Sequence, residues 1–406
     1  MLSQKQLFLQ HLAQTSPTPP SLEIEHAEGV FLYDKTGKKY LDLISGIAVS
    51  SLGHGQPEIK QAAKDQIDRH MHLMVFGEFV ISPQVNLAKQ ITDLLPDELS
   101  TVYFTNSGTE ATEGAMKLAK RFTGRNNFVS FKNSYHGSSQ GALSLGGNEW
   151  LKNAYRPLLN GQTIIDYNNE NHLDQITEKT AAVFVEPIQA EAGIILPQNN
   201  FLQKIKDRCK QTGSLLVFDE IQTGIGRTGK LFAFEHSNVI PDILLLGKAL
   251  GGGMPLAAFI SSNEIMSTLS VDPILGHLTT FGGHPVSCAT SSAAIHFIQR
   301  NQLAESALEK EKIFRRLLVH ENIRKIRGKG LLLCIEFESD QFNQAVINSC
   351  YQKGLITDWF LFATNCLRIA QPLTINDHEI ELACRIILDA VDGEVRGHRS
   401  EVKGIK

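Results

Sequence analysis

Short runs of apolar residues recur between about residues 50 and 290, and stretches with helical spacing separate them. This alternation is typical of a mostly parallel sheet covered by helices, which is an α/β fold. Because each run is bounded by glycine, asparagine or charged residues, we interpret the runs as buried strands. The pattern predicts seven strands, near residues 101–105, 127–131, 163–167, 181–186, 215–219, 243–246 and 257–261.

The two ends of the chain show a different pattern. Residues 28–42 alternate apolar and polar positions around an Asp-Lys-Thr-Gly turn, which predicts a hairpin. Beyond residue 320 short strands are mixed with helices, as in a smaller α+β domain that the hairpin can join. We therefore predict an N-terminal segment that joins the small domain, a large domain, and a C-terminal small domain, over residues 1–48, 49–292 and 293–406.

Composition limits the classes of function. The chain has 406 residues, of which 42% are hydrophobic and 20% charged, as in ordinary globular proteins. Its net charge of −4 gives no reason to expect nucleic acid or an anionic membrane as partner. No stretch approaches the roughly 20 apolar residues of a membrane helix, and the N-terminus lacks the apolar core of a signal peptide. Six scattered cysteines without metal-binding spacing fit reduced thiols, so we expect a cytoplasmic protein without a bound metal.

A lysine and an aspartate follow two neighbouring apolar runs. Lys248 comes directly after the run 243–246 and Gly247, and Asp219 ends the run 215–219. In apolar surroundings desolvation lowers the pKa of an amine, and the neutral amine can form a Schiff base with an aldehyde. Because ligands of parallel sheets bind at the carboxyl ends of the strands, we expect Lys248 and Asp219 to share one site.

Other strand ends carry groups that suit a phosphorylated, flat ligand. Ser107, Gly108 and Thr109 open a predicted helix, whose N-terminus offers N–H groups and hydroxyls to a phosphate, although an ordinary helix cap is the favoured explanation of this feature taken alone. Tyr135 lies near another strand end, where its ring can stack on a heteroaromatic ligand. Together with a desolvated lysine and a buried aspartate, these features indicate pyridoxal 5′-phosphate.

Two other motifs lead elsewhere. Residues 224–230 match the G-x-x-x-x-G-K core of a phosphate-binding loop, but Leu231 stands where the metal-binding Ser or Thr belongs. We therefore disfavour a nucleotide-hydrolysing enzyme. His70 and His72 form an H-x-H pair with no further ligand in sight, so a polar helix surface is the better interpretation.

At this point the chain resembles the class III pyridoxal-phosphate-dependent aminotransferases, the group of the ornithine, acetylornithine and 4-aminobutyrate enzymes. The runs 215–229 (LLVFDEIQTGIGRTG) and 246–255 (LGKALGGGMP) look like the two signature segments of that family. The resemblance extends over nearly the whole chain. Further matching segments, in the family's order, are 106–111, 134–137, 186–191, 280–285 and 367–368.

The resemblance implies fold type I: a large domain with a mostly parallel seven-stranded sheet carries the cofactor, a smaller α+β domain comes from both chain ends, and a homodimer forms active sites at its interface. It also implies that Lys248 binds the cofactor aldehyde and later moves a proton, while Asp219 pairs with the ring nitrogen. The other cofactor-binding positions implied are Ser107, Gly108 and Thr109 at the phosphate, Thr280 at the phosphate of the partner subunit's cofactor, Tyr135 on the ring, Gln222 at the ring's 3-oxygen, and His136 and Glu186.

Arg368 and Glu191 are the substrate-binding positions that the resemblance implies. Arg368 would bind the carboxylate next to the reacting carbon, a task that suits its planar fork. Glu191 would pair with Arg368 while an amine without a neighbouring carboxylate is bound, and would release it when a 2-oxo acid enters. One pocket could then serve both halves of a ping-pong reaction.

The substrate remains open between several classes. Many relatives carry an arginine after the aromatic-X-Gly motif, whereas here Ser138 follows Gly137, which removes a partner for a distal carboxylate. Residues 46–54 nevertheless resemble acetylornithine aminotransferases. We predict transfer of an amino group from an ω-amino acid or diamine-type donor to 2-oxoglutarate or pyruvate. The alternatives are an acetylornithine or ornithine aminotransferase proper, an aminomutase of the glutamate-1-semialdehyde type, a decarboxylase or racemase, and a silent cofactor-binding protein.

Overall fold

The computed structural model describes the backbone of residues 2–403 and the side chains of residues 2–396. Met1 and the last three residues of the predicted C-terminal domain, 404–406, lie outside the described residues. The helices are α1 Gln4–His11, α2 Ser45–Ala48, α3 Pro57–Arg69, α4 Ser82–Thr92, α5 Gly108–Thr123, α6 Gln140–Leu145, α7 Glu149–Lys152, α8 Phe201–Thr212, α9 Asn263–Ser267, α10 Pro285–Arg300, α11 Leu303–Leu317, α12 Asp340–Gln352 and α13 Asp377–Lys403. The strands are β1 Ile24–Glu28, β2 Phe31–Asp34, β3 Lys39–Asp42, β4 Thr101–Thr105, β5 Asn127–Phe131, β6 Gln162–Ile165, β7 Thr180–Val185, β8 Leu215–Asp219, β9 Ile243–Leu246, β10 Ala257–Ser261, β11 Lys325–Lys329, β12 Leu332–Glu336, β13 Leu355–Ile356, β14 Trp359–Phe360 and β15 Ala363–Ile369.

A seven-stranded sheet forms the centre of the molecule, in the order β4-β10-β9-β8-β7-β5-β6. Neighbouring strands from β9 to β6 run parallel, and β10 runs antiparallel to both β4 and β9. All seven predicted strands are present, and β6 and β7 start and end one or two residues before their predicted positions. The sheet confirms the predicted α/β class.

The central strands are apolar because both faces of the sheet are covered. In β8, Leu216 and Phe218 belong to one core cluster, whereas Leu215 and Val217 belong to the cluster on the opposite face. Helix α5 contributes several alanines to the second cluster. Full burial of each large side chain contributes about 1.5–3 kcal/mol, so a continuous apolar run is the expected sequence of such a strand.

Two smaller sheets flank the central one. The first has the order β1-β2-β3-β13, and β13 pairs in parallel with β3, so strands from both halves of the chain share one sheet. The second has the order β11-β12-β15-β14. The predicted N-terminal hairpin is therefore observed, and it does pair with a strand from the C-terminal part of the chain. The domain bounds themselves stay a prediction.

The described part of the chain contains neither a membrane-spanning helix nor a metal-binding cluster. No helix within residues 2–403 is long and apolar enough to cross a membrane. Nor does that part of the chain contain a group of three or more His, Cys, Asp or Glu side chains able to hold a metal ion. The six cysteines are all buried and unpaired by disulfides.

Candidate active site

A cavity of about 290 Å³ lies at the carboxyl ends of the central strands. Strands β4, β5, β7, β8 and β9 all end at this edge. Strand β4 points the same way as β9 because β10, which lies between them, is antiparallel to both. The loops after these strands therefore meet, as expected for a ligand site of a parallel sheet. Nine of the predicted site residues line the cavity: Gly108, Thr109, Tyr135, His136, Glu186, Glu191, Asp219, Gln222 and Lys248.

Lys248 lies at the wall of this cavity and begins a short 3-10 helix, Lys248–Gly251. Its φ of 45° is in the left-handed region, which is strained for a residue with a side chain and is typical of functional sites. Burial, with a smaller contribution from the charge of Arg368, lowers the pKa of its amine to about 8, although the charges of Glu191 and Asp219 oppose this change. A substantial fraction of neutral amine is therefore available near neutral pH.

Asp219 is held in one orientation by two hydrogen bonds. His136 Nδ1 lies 2.7 Å from Asp219 Oδ2, and the N–H of Ile221 donates to Asp219 Oδ1 at 3.1 Å. Both side chains of the His136 and Asp219 pair are buried. His136 is fixed from the other side, since Thr112 Oγ1 donates to its carbonyl oxygen at 2.9 Å. A fixed carboxylate facing a cavity suits a ligand with a protonated ring nitrogen.

The N-terminus of α5 forms another part of the wall. Ser107 is its N-cap, and Ser107 Oγ accepts a hydrogen bond from the N–H of Glu110 at 3.4 Å. Ser107 does not line the cavity, so its cap role is the one observed. Gly108 and Thr109 do line it, and the first N–H groups of a helix have no carbonyl partner within the helix. This end of the cavity therefore presents hydrogen-bond donors to an anion.

The loop after β5 packs tightly against that helix. Gly137 has a φ of 129°, and an added Cβ there would lie 2.4 Å from Thr109 Oγ1. Thr109 Oγ1 also lies 2.6 Å from Ser139 Oγ. Only glycine fits at position 137, which explains why the loop can bring Tyr135 and Thr109 to the same cavity.

Glu186 is a buried carboxyl whose pKa burial raises well above its ordinary value, and the charge of Asp219 raises it further. Burial therefore favours the protonated, neutral form of this carboxyl. Its Oε1 accepts a hydrogen bond from the N–H of Ala190 at 3.2 Å. Its Oε2 is buried without a hydrogen-bond partner among the described residues, so a ligand atom in the cavity would satisfy it.

Arg368 and Glu191 form a buried, two-pronged ion pair. Arg368 Nη1 donates to Glu191 Oε1 at 2.8 Å, and Arg368 Nη2 donates to Glu191 Oε2 at 2.9 Å. Burial opposes ionisation of Glu191, but Arg368 and Lys248 outweigh it and lower its pKa to about 2. The pair is therefore charged at any working pH, and the predicted association of the two residues is present in the structure.

Gln222 connects this ion pair to Lys248. With the amide oxygen turned toward the cations, it accepts from Lys248 Nζ and from Arg368 Nη1, both at 3.2 Å. The opposite orientation offers one hydrogen bond, from Nε2 to Glu191 Oε1 at 3.3 Å. The first orientation matches acceptors to donors and is the one we adopt.

Residues 357–360, which sequence reasoning missed, surround Arg368. Arg368 Nε donates to Asp358 Oδ1 at 2.8 Å, and the Phe360 ring lies 4.3 Å from the guanidinium carbon. No spacing or motif in the sequence singles out this segment, because its position beside Arg368 depends on the pairing of β14 with β15. Thr280, in contrast, was predicted but is exposed and does not line the cavity within the described chain.

The groups that line the cavity fit pyridoxal phosphate. The cavity combines an amine with a lowered pKa, a fixed carboxylate, a helix N-terminus and the ring of Tyr135. The same loops carry four buried polar atoms that have no hydrogen-bond partner among the described residues: Ser134 Oγ, His136 Nε2, Glu186 Oε2 and Thr223 Oγ1. A polar, partly charged, ring-sized ligand would meet these groups.

Comparisons with known proteins agree with this chemistry. The profile of the family described as Aminotransferase class-III matches residues 12–391. An acetylornithine aminotransferase of Methanopyrus kandleri is 36% identical over 367 residues, which cover 90% of this chain and 92% of the relative. A [LysW]-aminoadipate semialdehyde/glutamate semialdehyde transaminase of Sulfurisphaera tokodaii is 38% identical over 78% of this chain and 81% of its own length. A solved ornithine aminotransferase of Toxoplasma gondii, whose active site holds pyridoxal phosphate at partial occupancy, has a TM-score of 0.89 with 29% identity over 97% of this chain and 94% of its own.

Proposed function

The chain belongs to the class III aminotransferase family and is a pyridoxal-phosphate-dependent transaminase, and from this premise we propose that it moves an amino group from a terminal-amine donor to a 2-oxo acid. The donor is an ω-amino acid or a diamine, and the acceptor is 2-oxoglutarate or pyruvate. The observation that carries the proposal is the buried, two-pronged pair of Arg368 with Glu191 beside Lys248. Such a pair suits two substrates that enter one pocket in turn.

Pyridoxal phosphate supplies an aldehyde that holds amines covalently and a ring that accepts electrons from the reacting carbon. We propose that Lys248 Nζ holds the cofactor and Asp219 binds its ring nitrogen. The remaining cofactor contacts proposed are the phosphate with Ser107, Gly108 and Thr109, the ring face with Tyr135, and ring substituents with His136, Glu186 and Gln222. The fixed carboxylate of Asp219 and the free helix N–H groups support this assignment.

Lys248 also suits a general base and acid for the reacting carbon. Its pKa of about 8 is close to neutrality, which is where a group can both accept and return a proton efficiently. Gln222 accepts a hydrogen bond from Nζ, and the charge of Glu191 favours its charged form after it has taken the proton.

Arg368 and Glu191 are proposed to distinguish the two substrates. While an amine donor without a carboxylate beside the amine is bound, Glu191 neutralises Arg368. When a 2-oxo acid enters, its carboxylate takes the two Nη positions and the Glu191 side chain moves away. The Glu191 backbone can stay in place, because the N–H of Phe362 donates to its carbonyl oxygen at 3.0 Å.

Of the two proposed donor types, the rim of the cavity favours the diamine, whose distal end is basic, over the ω-amino acid, whose distal end is a carboxylate. Ser138 occupies the rim, and its Oγ lies 3.0 Å from Tyr135 OH. The cationic residues at the described site are Lys248 and Arg368, and both already have anionic neighbours. A carboxylate at the distal end of the donor would therefore lack a partner in this chain.

A second candidate is an acetylornithine or ornithine-type aminotransferase, and the names of the relatives favour it. Its donors carry a distal carboxylate, as ω-amino acids do, so the rim must bind a negative charge that a diamine lacks. The test is a panel of donors without acceptor: putrescine, β-alanine, 4-aminobutyrate, ornithine and N-acetylornithine. The readout is loss of the visible absorbance band of the bound cofactor. Conversion by putrescine but not by N-acetylornithine supports the proposal, and the reverse result supports the second candidate.

Ser138→Arg tests the same point from the protein side. An arginine at the rim should raise kcat/KM for N-acetylornithine about three- to tenfold, the effect of one partly exposed ion pair, and should leave putrescine unchanged or poorer. Ser138→Gln controls for size without charge. If Ser138→Arg and Ser138→Gln gave the same donor profile, the missing charge would not explain donor choice.

A homodimer is proposed as the working form. The segments 71–85 and 271–281 expose large apolar side chains, among them Val80 at 92% and Ile274 at 78% exposure. They touch each other, since the rings of His72 and Phe281 lie 4.8 Å apart. Such a patch is typical of an interface between chains, and it carries the exposed Thr280, which would reach the partner's cofactor phosphate. Sedimentation equilibrium of the loaded enzyme tests the dimer.

A further inference from the structure

We infer that Asp358 is the positioning residue of the substrate carboxylate site: it holds Arg368 in place when Glu191 leaves. The inference rests on the proposed function, because it concerns the half-reaction in which a 2-oxo acid binds. It adds a residue with no role among the family motifs of this chain and explains how one arginine can exchange partners without changing position.

Each of the four residues in the segment 357–360 contacts Arg368. Arg368 Nε donates to Asp358 Oδ1 at 2.8 Å, and Arg368 Nη2 donates to the carbonyl oxygen of Trp359 at 3.0 Å. The Phe360 ring lies under the guanidinium at 4.3 Å, close enough for a cation–π contact. Thr357 Oγ1 donates to the carbonyl oxygen of Arg368 at 2.7 Å. The whole side chain is thus held from the backbone to its tip.

The five N–H donors of Arg368 divide into two groups. Glu191 takes one on Nη1 and one on Nη2, at 2.8 and 2.9 Å. Asp358, Trp359 and Gln222 take the remaining three, with the Gln222 oxygen 3.2 Å from Nη1. Departure of Glu191 therefore frees two parallel N–H groups, which is the arrangement that binds a carboxylate in a bidentate manner, and leaves the other three bonds intact.

Without Asp358 this separation would fail. An arginine side chain has large rotational freedom, and a substrate carboxylate gains affinity when the fork is already oriented. Of the groups that hold Arg368 besides Glu191, Asp358 is the charged one. Burial raises its pKa to about 6, Arg368 opposes this rise, and Glu191 adds to it, so Asp358 is ionised at neutral pH. Its bond to Nε is therefore charge-assisted and lies on the edge of Arg368 opposite to Nη1.

The test compares two variants of Asp358 in the loaded enzyme. Asp358→Ala removes the acceptor and should raise KM for the 2-oxo acid about 10- to 100-fold, the effect of losing one charged hydrogen bond. The rate of the amine half-reaction at saturating donor should change less than threefold. Asp358→Asn keeps an oxygen for Nε but not the charge, so its KM for the oxo acid should lie between those of Asp358→Ala and the unmodified enzyme. The exposed Asp340→Asn in the same part of the chain is the matched control.

A binding measurement separates this role from a merely structural one. Glutarate, a diacid that cannot react, should bind the loaded Asp358→Ala enzyme about 10- to 100-fold more weakly by calorimetric titration, and Asp358→Asn should bind it with an intermediate affinity. Equal glutarate affinity in Asp358→Ala and the unmodified enzyme would overturn the inference. So would an equal loss in both half-reactions, or an Asp358→Asn variant as impaired as Asp358→Ala. If the unmodified enzyme turned over no 2-oxo acid, the proposed function would fail, whereas normal turnover with an unaffected Asp358→Ala would refute only the role of Asp358.

Discussion

Substitution of Glu191 by Gln gives the sharpest test of the exchange between the two substrates. The change keeps the length of the side chain and removes its charge. We expect KM for the 2-oxo acid to fall, because the competitor for Arg368 becomes weak. We expect KM for the terminal-amine donor to rise, because the charge of Arg368 is then no longer neutralised by Glu191 while the amine is bound.

The size of the effect follows from the strength of the ion pair. The side chains of Arg368 and Glu191 are 2% and 7% exposed, so solvent screens them little. The pKa of Glu191 falls from an ordinary 4.5 to about 2 even though burial alone would raise it. Since a tenfold change in acidity corresponds to about 1.4 kcal/mol, ionised Glu191 gains on the order of 3 kcal/mol from its surroundings. An incoming carboxylate must displace this interaction, so its loss should lower KM for the oxo acid by about 10- to 100-fold.

The assay measures the two half-reactions separately by single-turnover absorbance of the bound cofactor. The exposed Glu178→Gln, the same chemical change away from the cavity, is the control. An unchanged or higher KM for the oxo acid in Glu191→Gln, with the cofactor fully bound, would refute the view that Glu191 competes with substrate for Arg368.

Two further predictions concern the cofactor end of the site. Burial lowers the pKa of Lys248 from 10.5 to about 8. The rate of covalent cofactor capture by the cofactor-free protein should therefore rise about tenfold per pH unit below pH 8 and level off above it. The rate for a free lysine derivative, measured in parallel, should keep rising toward pH 10, and identical pH profiles for the two amines would contradict the lowered pKa. Asp219→Asn keeps the shape of a side chain bound by His136 and Ile221 but removes its charge, so the single-turnover rate should fall by about 10²- to 10⁴-fold; near-normal rates with normal cofactor content would exclude the proposed role at the ring nitrogen.

The strands of the central sheet were predictable because their environment imposes a simple sequence. A strand such as β9, buried on both faces, needs an unbroken apolar run, and Gly247 marks its end. Ends are less certain where polar residues continue the run. Residues 166–167 were predicted to continue β6, but the strand ends at Ile165, where the N–H of Lys132 donates to the carbonyl oxygen of Ile165.

The part of the site that belongs to the large sheet was also predictable, since Asp219 ends one buried apolar run and Lys248 follows Gly247 at the end of another. The other side was not. Asp358 becomes important only because β14 pairs with β15 and brings residue 358 beside Arg368. Glu113 is a similar case: its carboxylate accepts from Ser139 Oγ at 2.6 Å and from the N–H of Gly141 at 2.7 Å, and so supports the loop that carries Tyr135. Tertiary contacts of this kind leave no periodic signal in the sequence.

The two sides of the cavity are electrically connected, and this connection gives the exchange of substrates a consequence for Lys248. The charge of Glu191 raises the pKa of Lys248, whereas the charge of Arg368 lowers it. When Glu191 moves away, Lys248 faces Arg368 with less compensation, and the neutral amine is favoured until a substrate carboxylate replaces the lost charge. In the proposed exchange, a 2-oxo acid bound to Arg368 would restore the field that Glu191 supplied, and Lys248 would carry protons at a similar pKa in both halves of the reaction. The oxygen of Gln222, bonded to both cations at 3.2 Å, keeps their positions fixed while the anion between them changes.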